Sequence, residues 1–96
     1  MRDRPLTEDE LATALAALPL WHVEDGQLAT RRDLPSFLGA VAFVQAVAGV
    51  AEELDHHPDI DLRWRTVRLA VSTHDSGGAI TARDTELAHR VDALLP

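Results

Sequence analysis

The sequence predicts an α+β fold: two layers, with one antiparallel four-stranded sheet carrying helices on one face, in the order α-β-β-α-β-β-α. Three observations predict it. Apolar residues recur at helical spacing in three stretches, near 7–18, 35–54 and 81–94. Two short strand-like runs flank Asp25-Gly26, a strong hairpin signal. Between the second and third helical stretches, residues 60–71 alternate apolar and polar, with one change of parity.

Each element has a local justification. Thr7-Glu8-Asp9-Glu10 opens the first helix as a capping box, in which the Thr hydroxyl accepts from the N–H three residues on and the Glu reaches back. Leu6 and Leu11 stand at the two positions of a hydrophobic staple; Leu11, Leu15 and Leu18 repeat at helical spacing, and Pro19 ends the run. The runs 20–24 and 27–31 are the first strand pair. Pro35 opens the second helix, where its missing N–H costs least, and the helix runs to about Leu54. Two apolar stripes cover it, Phe37-Val41-Val44-Ala48-Ala51 and Phe43-Val47-Val50-Leu54. That arc is wider than packing on one sheet requires, so part of the 35–54 helix is expected to bury against another copy of the chain. Ile60, Leu62 and Trp64 share one parity; Val67, Leu69 and Val71 take the other. The flip demands a turn or bulge near Arg65-Thr66, and the pattern alone places Trp64 in the core. Gly77-Gly78 marks a loop. Thr81-Ala82-Arg83-Asp84 is a second capping box, opening a last helix with Leu87, Val91 and Leu94 on one face.

Composition narrows the function. The 96 residues fit a single domain over 1–96, with 1–5 expected as a flexible N-terminal lead. The absence of Cys excludes a disulfide scaffold, a Cys-ligated zinc finger and an iron–sulfur protein. Sixteen acids face nine bases, all Arg, for a net charge of −7. That balance argues against a nucleic-acid or anionic-membrane partner, which would need a basic face. The N-terminus lacks the apolar run of a secretory peptide, and the stretch 37–51 is short of the ~20 residues that span a bilayer. The expectation is a cytoplasmic protein.

The odd feature is the histidines. There are five, and His56, His57 and His74 fall within nineteen residues. Pro58 restricts His57 to extended backbone. Glu52 and Glu53 stand in the last turn of the second helix, beside its negative end, where acids are unfavourable. Imidazoles titrate near neutrality, so the three could serve general acid–base catalysis. They could instead ligate a metal, although the helical i, i+4 spacing is absent. Or they could be polar loop residues with no joint role. Trp64 is either core or a flat wall for a planar ring. Asp84 is explained by capping, and it could also hold an imidazole in one tautomer. Thr73 has core parity. His22 and His89 read as structural or exposed, and Arg63, Arg65 and Arg68 as a solvated basic strip.

The spacing Glu52-x3-His56-His57-Pro58-x5-Trp64-x9-His74-x9-Asp84 resembles the signature of the pterin-4a-carbinolamine dehydratases. Thr73-His74-x-x-Gly77-Gly78-x-x-Thr81-x-x-Asp84 is similar to the family's C-terminal segment, and Phe37-x-x-Ala40-x-x-Phe43 to its long helix. The similarity covers about residues 7–95. It implies an enzyme that dehydrates 4a-hydroxytetrahydrobiopterin to quinonoid dihydrobiopterin, with no metal and no other cofactor. It implies His56, His57 and His74 as the acid–base set, with His56 or His74 as acid and His57 positioning the pterin. Glu52, Pro58, Trp64, Thr73 and Asp84 become substrate-binding or orienting residues, with Trp64 flanking the ring and Asp84 orienting His74. The resemblance also favours a homodimer or homotetramer through the 35–54 helix and the sheet edge. The alternative is a non-catalytic pterin-binding or dimerisation module that serves transcription.

Overall fold

The computed structural model describes residues 3–95. Along them run α1 (Glu8–Ala16), β1 (Trp21–Glu24), β2 (Gln27–Asp33), α2 (Phe37–Leu54), β3 (Asp59–Arg63), β4 (Thr66–Val71), a 3-10 turn at His74–Ser76 and α3 (Ala82–Asp92). The strands form one antiparallel sheet in the order β1-β2-β4-β3. Fold class, strand number and element order are those the sequence predicts.

Both capping boxes form. The Thr7 hydroxyl accepts from the Glu10 N–H at 3.1 Å, and the Glu10 carboxylate accepts from the Thr7 N–H at 2.9 Å. Arg4 and the Thr7 N–H hold the Glu10 carboxyl down to about 2. The cap therefore acts in full above the ordinary carboxylate range and fades only as pH falls through about 2. Asp25 and Gly26 take φ values of 51° and 77°, the left-handed pair that closes a two-residue hairpin. Pro35 precedes the second helix rather than opening it. The Ser36 hydroxyl accepts from the Gly39 N–H at 2.9 Å, so α2 begins at Phe37.

Register sorts the side chains onto two faces. Trp21 faces Thr30, Thr30 faces Leu69, and Leu69 faces Ile60, all on the helical side. There Trp21, Leu28, Val67, Leu69 and Val71 join Phe43, Val47 and Val50 of α2 and Leu87, Ala88 and Val91 of α3 in one core. The opposite sheet face is polar, with Arg68 bonded to Glu24, Thr66 to Asp33 and Gln27 to Asp59. Arg63 and Arg68 lie on this face, as the sequence suggests for a solvated strip. α2 is long and apolar enough to cross a membrane by composition, yet its Ala40-Phe43-Val47-Val50 stripe is packed in the core.

Trp64 departs from the pattern. The β3–β4 turn falls at Trp64-Arg65, not one residue later, and takes Trp64 out of the strand at φ 53°. Its ring is 74% exposed and stacks on the Arg65 guanidinium at 5.2 Å. A strand that ends one residue early frees its last apolar position from the core face.

Pro5 and Leu6 are tied to the segment that leads into α3. Pro5 bridges to Thr81, and the Leu6 N–H donates to the Ile80 carbonyl at 2.9 Å. The Ser76 hydroxyl donates to the Asp3 carbonyl. Met1 and Arg2 lie outside the described residues.

A partly buried ion pair pins the C-terminal end of α3 to the sheet. Asp92 accepts from Arg32 at 2.5 Å and from the Trp21 indole N–H at 2.8 Å, and Arg32 also donates to Thr30. Removing the carboxylate strands a guanidinium that is only 8% exposed. Asp92→Ala is expected to lose about 2–3 kcal/mol in urea unfolding, while Arg90→Ala, whose Glu53 partner is exposed, loses under about 1 kcal/mol. Equal losses would refute the clamp.

Candidate active site

α2, β4 and α3 converge at one end of the sheet, and the chain turns sharply there. Asp55 follows α2 in the left-handed region at φ 49°, and the N–H groups of Asp55 and His56 return to the carbonyls of Glu52 and Ala51. This closes the helix and sends the next side chain inward. His56 is consequently buried and His57 exposed, although the two are neighbours. On the other side, Thr73 leaves β4, and Gly77 and Gly78, both at positive φ, turn the chain back toward α3.

A cavity of about 280 Å³ lies between these turns, lined by Asp55, His56, His57, Ser72, Thr73, His74, Asp75 and Arg83. The three imidazoles named from the sequence share it.

Their environments differ. Asp84 is fully buried. One of its oxygens accepts from the Thr73 hydroxyl at 2.9 Å and from the Thr81 N–H at 2.8 Å; the other meets His56 Nε2 at 2.6 Å. A carboxylate only accepts, so His56 Nε2–H donates and Nδ1 is left for chemistry. Thr73 spends its proton on Asp84, so the Thr81 hydroxyl donates to Thr73, 2.7 Å away. His57 Nε2 meets the Glu52 carboxylate at 2.5 Å, with both groups largely exposed. His74 is exposed and has no side-chain hydrogen bond among the described residues. The cavity thus holds one clamped, one paired and one free imidazole, a set suited to moving protons to and from a small organic ligand.

Two expectations are corrected. Asp84 orients His56, not His74, because the inward turn at Asp55 brings His56 over the N-terminus of α3 while His74 points to solvent. Trp64 does not reach the cavity within one chain. Both free ends of the β3–β4 hairpin return to the histidines, and Trp64 sits at the far end, about 17 Å away at ~3.3 Å per residue. Glu52 reaches the site through His57, and Pro58 fixes backbone without lining the wall. No group of side chains suited to a metal ion occurs among the described residues.

Asp55, Ser72, Asp75 and Arg83 are wall residues that sequence reasoning missed. All four adjoin a named residue, His56, Thr73, His74 or Asp84, and Arg83 carries no signal that distinguishes it from a solvated helix residue. Arg83 Nη2 donates to the Asp55 carbonyl at 2.8 Å, and Nη1 lies 3.5 Å from the Asp3 carboxylate.

Residues 4–94 match the family model described as "Pterin 4 alpha carbinolamine dehydratase". A Streptomyces coelicolor protein named "Putative pterin-4-alpha-carbinolamine dehydratase" is 48% identical over 94 residues, covering 98% of this chain and 93% of its own length. A Chloroflexus aurantiacus protein of the same name is 44% identical over 90 residues, covering 94% of this chain and 96% of its own. Among solved structures, a "transcriptional coactivator/pterin dehydratase" from Brucella melitensis superimposes with a TM-score of 0.90 at 32% identity, covering 97% of this chain and all of its own. A pterin dehydratase-like RuBisCO assembly factor of the alpha-carboxysome matches at TM-score 0.62 and 27% identity, over 77% of this chain and 84% of its own.

The Asp84 network makes opposite stability predictions for two histidine-site positions. Asp84→Asn turns one of two accepting oxygens into an amide donor, set against either His56 or the Thr73–Thr81 pair, and is expected to cost about 2–4 kcal/mol in chemical denaturation. His74→Ala removes an exposed ring and is expected to stay within about 0.5 kcal/mol of wild type.

Proposed function

The chain belongs to the pterin 4 alpha carbinolamine dehydratase family, and we propose that it dehydrates 4a-hydroxytetrahydrobiopterin to quinonoid dihydrobiopterin and water. The observation that carries this reading is the set of three imidazoles in different hydrogen-bonding states around one cavity. The reaction breaks the C4a–O bond. A protonated imidazole gives its proton to the departing hydroxyl, which leaves as water, and a neutral imidazole takes the N5 proton. One proton is given and one taken, so the pair ends with its protonation exchanged, and solvent resets it. His74, free and exposed, suits the group that exchanges with solvent. His56 works through Nδ1, aligned from behind by Asp84. His57, backed by Glu52, positions the ring. These roles need one neutral and one cationic imidazole at the same time. The reaction requires no metal or further cofactor and sits in tetrahydrobiopterin recycling in the cytoplasm.

Assembly belongs to the same reading. Leu38 is 77% exposed on α2, with Phe37 half exposed, and the helix carries no charge before Glu52. We take this face, together with the sheet edge, to bury against further copies in a homodimer or homotetramer. Leu38→Glu should then lower the mass in light scattering at micromolar concentration; an unchanged monomeric mass in the wild type would refute the assembly.

Direct assay of carbinolamine dehydration tests the chemistry. His56→Ala and His74→Ala are each expected to lower turnover by about 10²–10⁴-fold, and EDTA to leave the wild type unchanged. Loss with EDTA and recovery with zinc would favour a metal site. A wild type that binds a reduced pterin but never accelerates dehydration would favour the binding or dimerisation module instead.

A further inference from the structure

Arg83 stands in the cavity wall, but neither its capping position nor its ion pair explains it. It is the second residue of α3, where a cation meets the positive end of the helix and is unfavourable. Its side chain is only 18% exposed. Nη2 is committed to the Asp55 carbonyl and Nη1 faces the Asp3 carboxylate, while Nε is buried with no hydrogen-bond partner. Among the described residues it is the one buried side-chain polar atom left so. An orphaned, charged donor costs free energy in a resting protein. A lysine reaching the same carbonyl would carry a methylene at the depth where Nε–H stands unpaired, so tethering Asp55 alone does not require a guanidinium.

We propose that Arg83 is a substrate-binding residue of the histidine cavity, a fixed fork that takes a ring carbonyl oxygen of the ligand. This rests on the dehydratase reading. The Asp55 and Asp3 contacts hold the guanidinium from behind, and a small rotation of its plane on ligand entry brings the spare donors onto the acceptor. In a 4a-hydroxypterin the C4 carbonyl is bonded directly to the reacting C4a. An arginine that grips this oxygen therefore fixes the adjoining C4a, and with it the departing hydroxyl, next to imidazoles that line the same wall. The grip acts on binding more than on the chemical step, because the carbonyl is present in ground and transition states alike.

The test compares Arg83→Lys and Arg83→Gln with wild type in the dehydration assay, in binding of 7,8-dihydrobiopterin (a stable isomer of the product) and in thermal unfolding. Arg83→Gln is expected to raise KM and the Kd for dihydrobiopterin by about tenfold or more, the usual scale of a lost charge-assisted hydrogen bond, with kcat within about threefold. Arg83→Lys should recover part of that loss while melting no lower than wild type. Unchanged KM and Kd in Arg83→Lys and Arg83→Gln would overturn the proposal, as would losses that only follow the melting temperature. Should Arg83→Gln not fold, Arg83→Lys decides alone, since a purely structural tether predicts wild-type KM. A wild type without turnover would refute the dehydratase reading and this inference with it; an active wild type with indifferent variants refutes the inference only.

Discussion

The molecule turns on one buried carboxylate. Asp84 takes donors from three separate pieces of chain: the hydroxyl that ends β4, the N–H that begins α3 and the imidazole that follows α2. None of these pieces could present its polar group to the interior alone, because an unpaired buried donor or acceptor costs on the order of 1–3 kcal/mol. Together they satisfy one another. Helix capping and histidine alignment are consequently one arrangement, and the site exists only where the three elements already meet.

The far end of α3 has a matching device. Asp92 gathers the Trp21 indole and the Arg32 guanidinium much as Asp84 gathers the site groups. A helix of eleven residues is thus fixed at both ends by carboxylates to the sheet layer. This leaves little freedom for His56 to drift, since its partner sits on an element that can neither slide nor tilt easily.

Much of this was legible in the sequence, and for physical reasons. Capping boxes, Asp25-Gly26 and the change of parity at residues 64–66 are local signals, fixed by hydrogen bonds over a few residues, and each became an element or a turn near the expected place. The grouping of the three histidines was suggested by a spacing that resembles a family pattern, and all three line one cavity. What sequence could not show is what depends on three-dimensional closure. Asp84 pairs with His56 rather than His74 because of a left-handed turn at Asp55, a residue type that tolerates that conformation without signalling it in the sequence. Trp64 followed the alternation until a turn one residue early put it outside. Arg83 looked like a solvated helix residue until its surroundings were known.

The hairpin of β3 and β4 joins its two ends at the histidines and folds back through a turn whose Trp64 faces open solvent, while Arg65 is tied to Leu34. Chain length at Trp64-Arg65 is therefore uncoupled from the chemistry. Residues could be added there, and the strands would still deliver Pro58 and Thr73 to the same places, since register is set by pairing from Asp59–Ala70 onward. One end of the hairpin is held at the histidine cavity and the other is free to vary, so new recognition surfaces have a place to arise without disturbing that cavity.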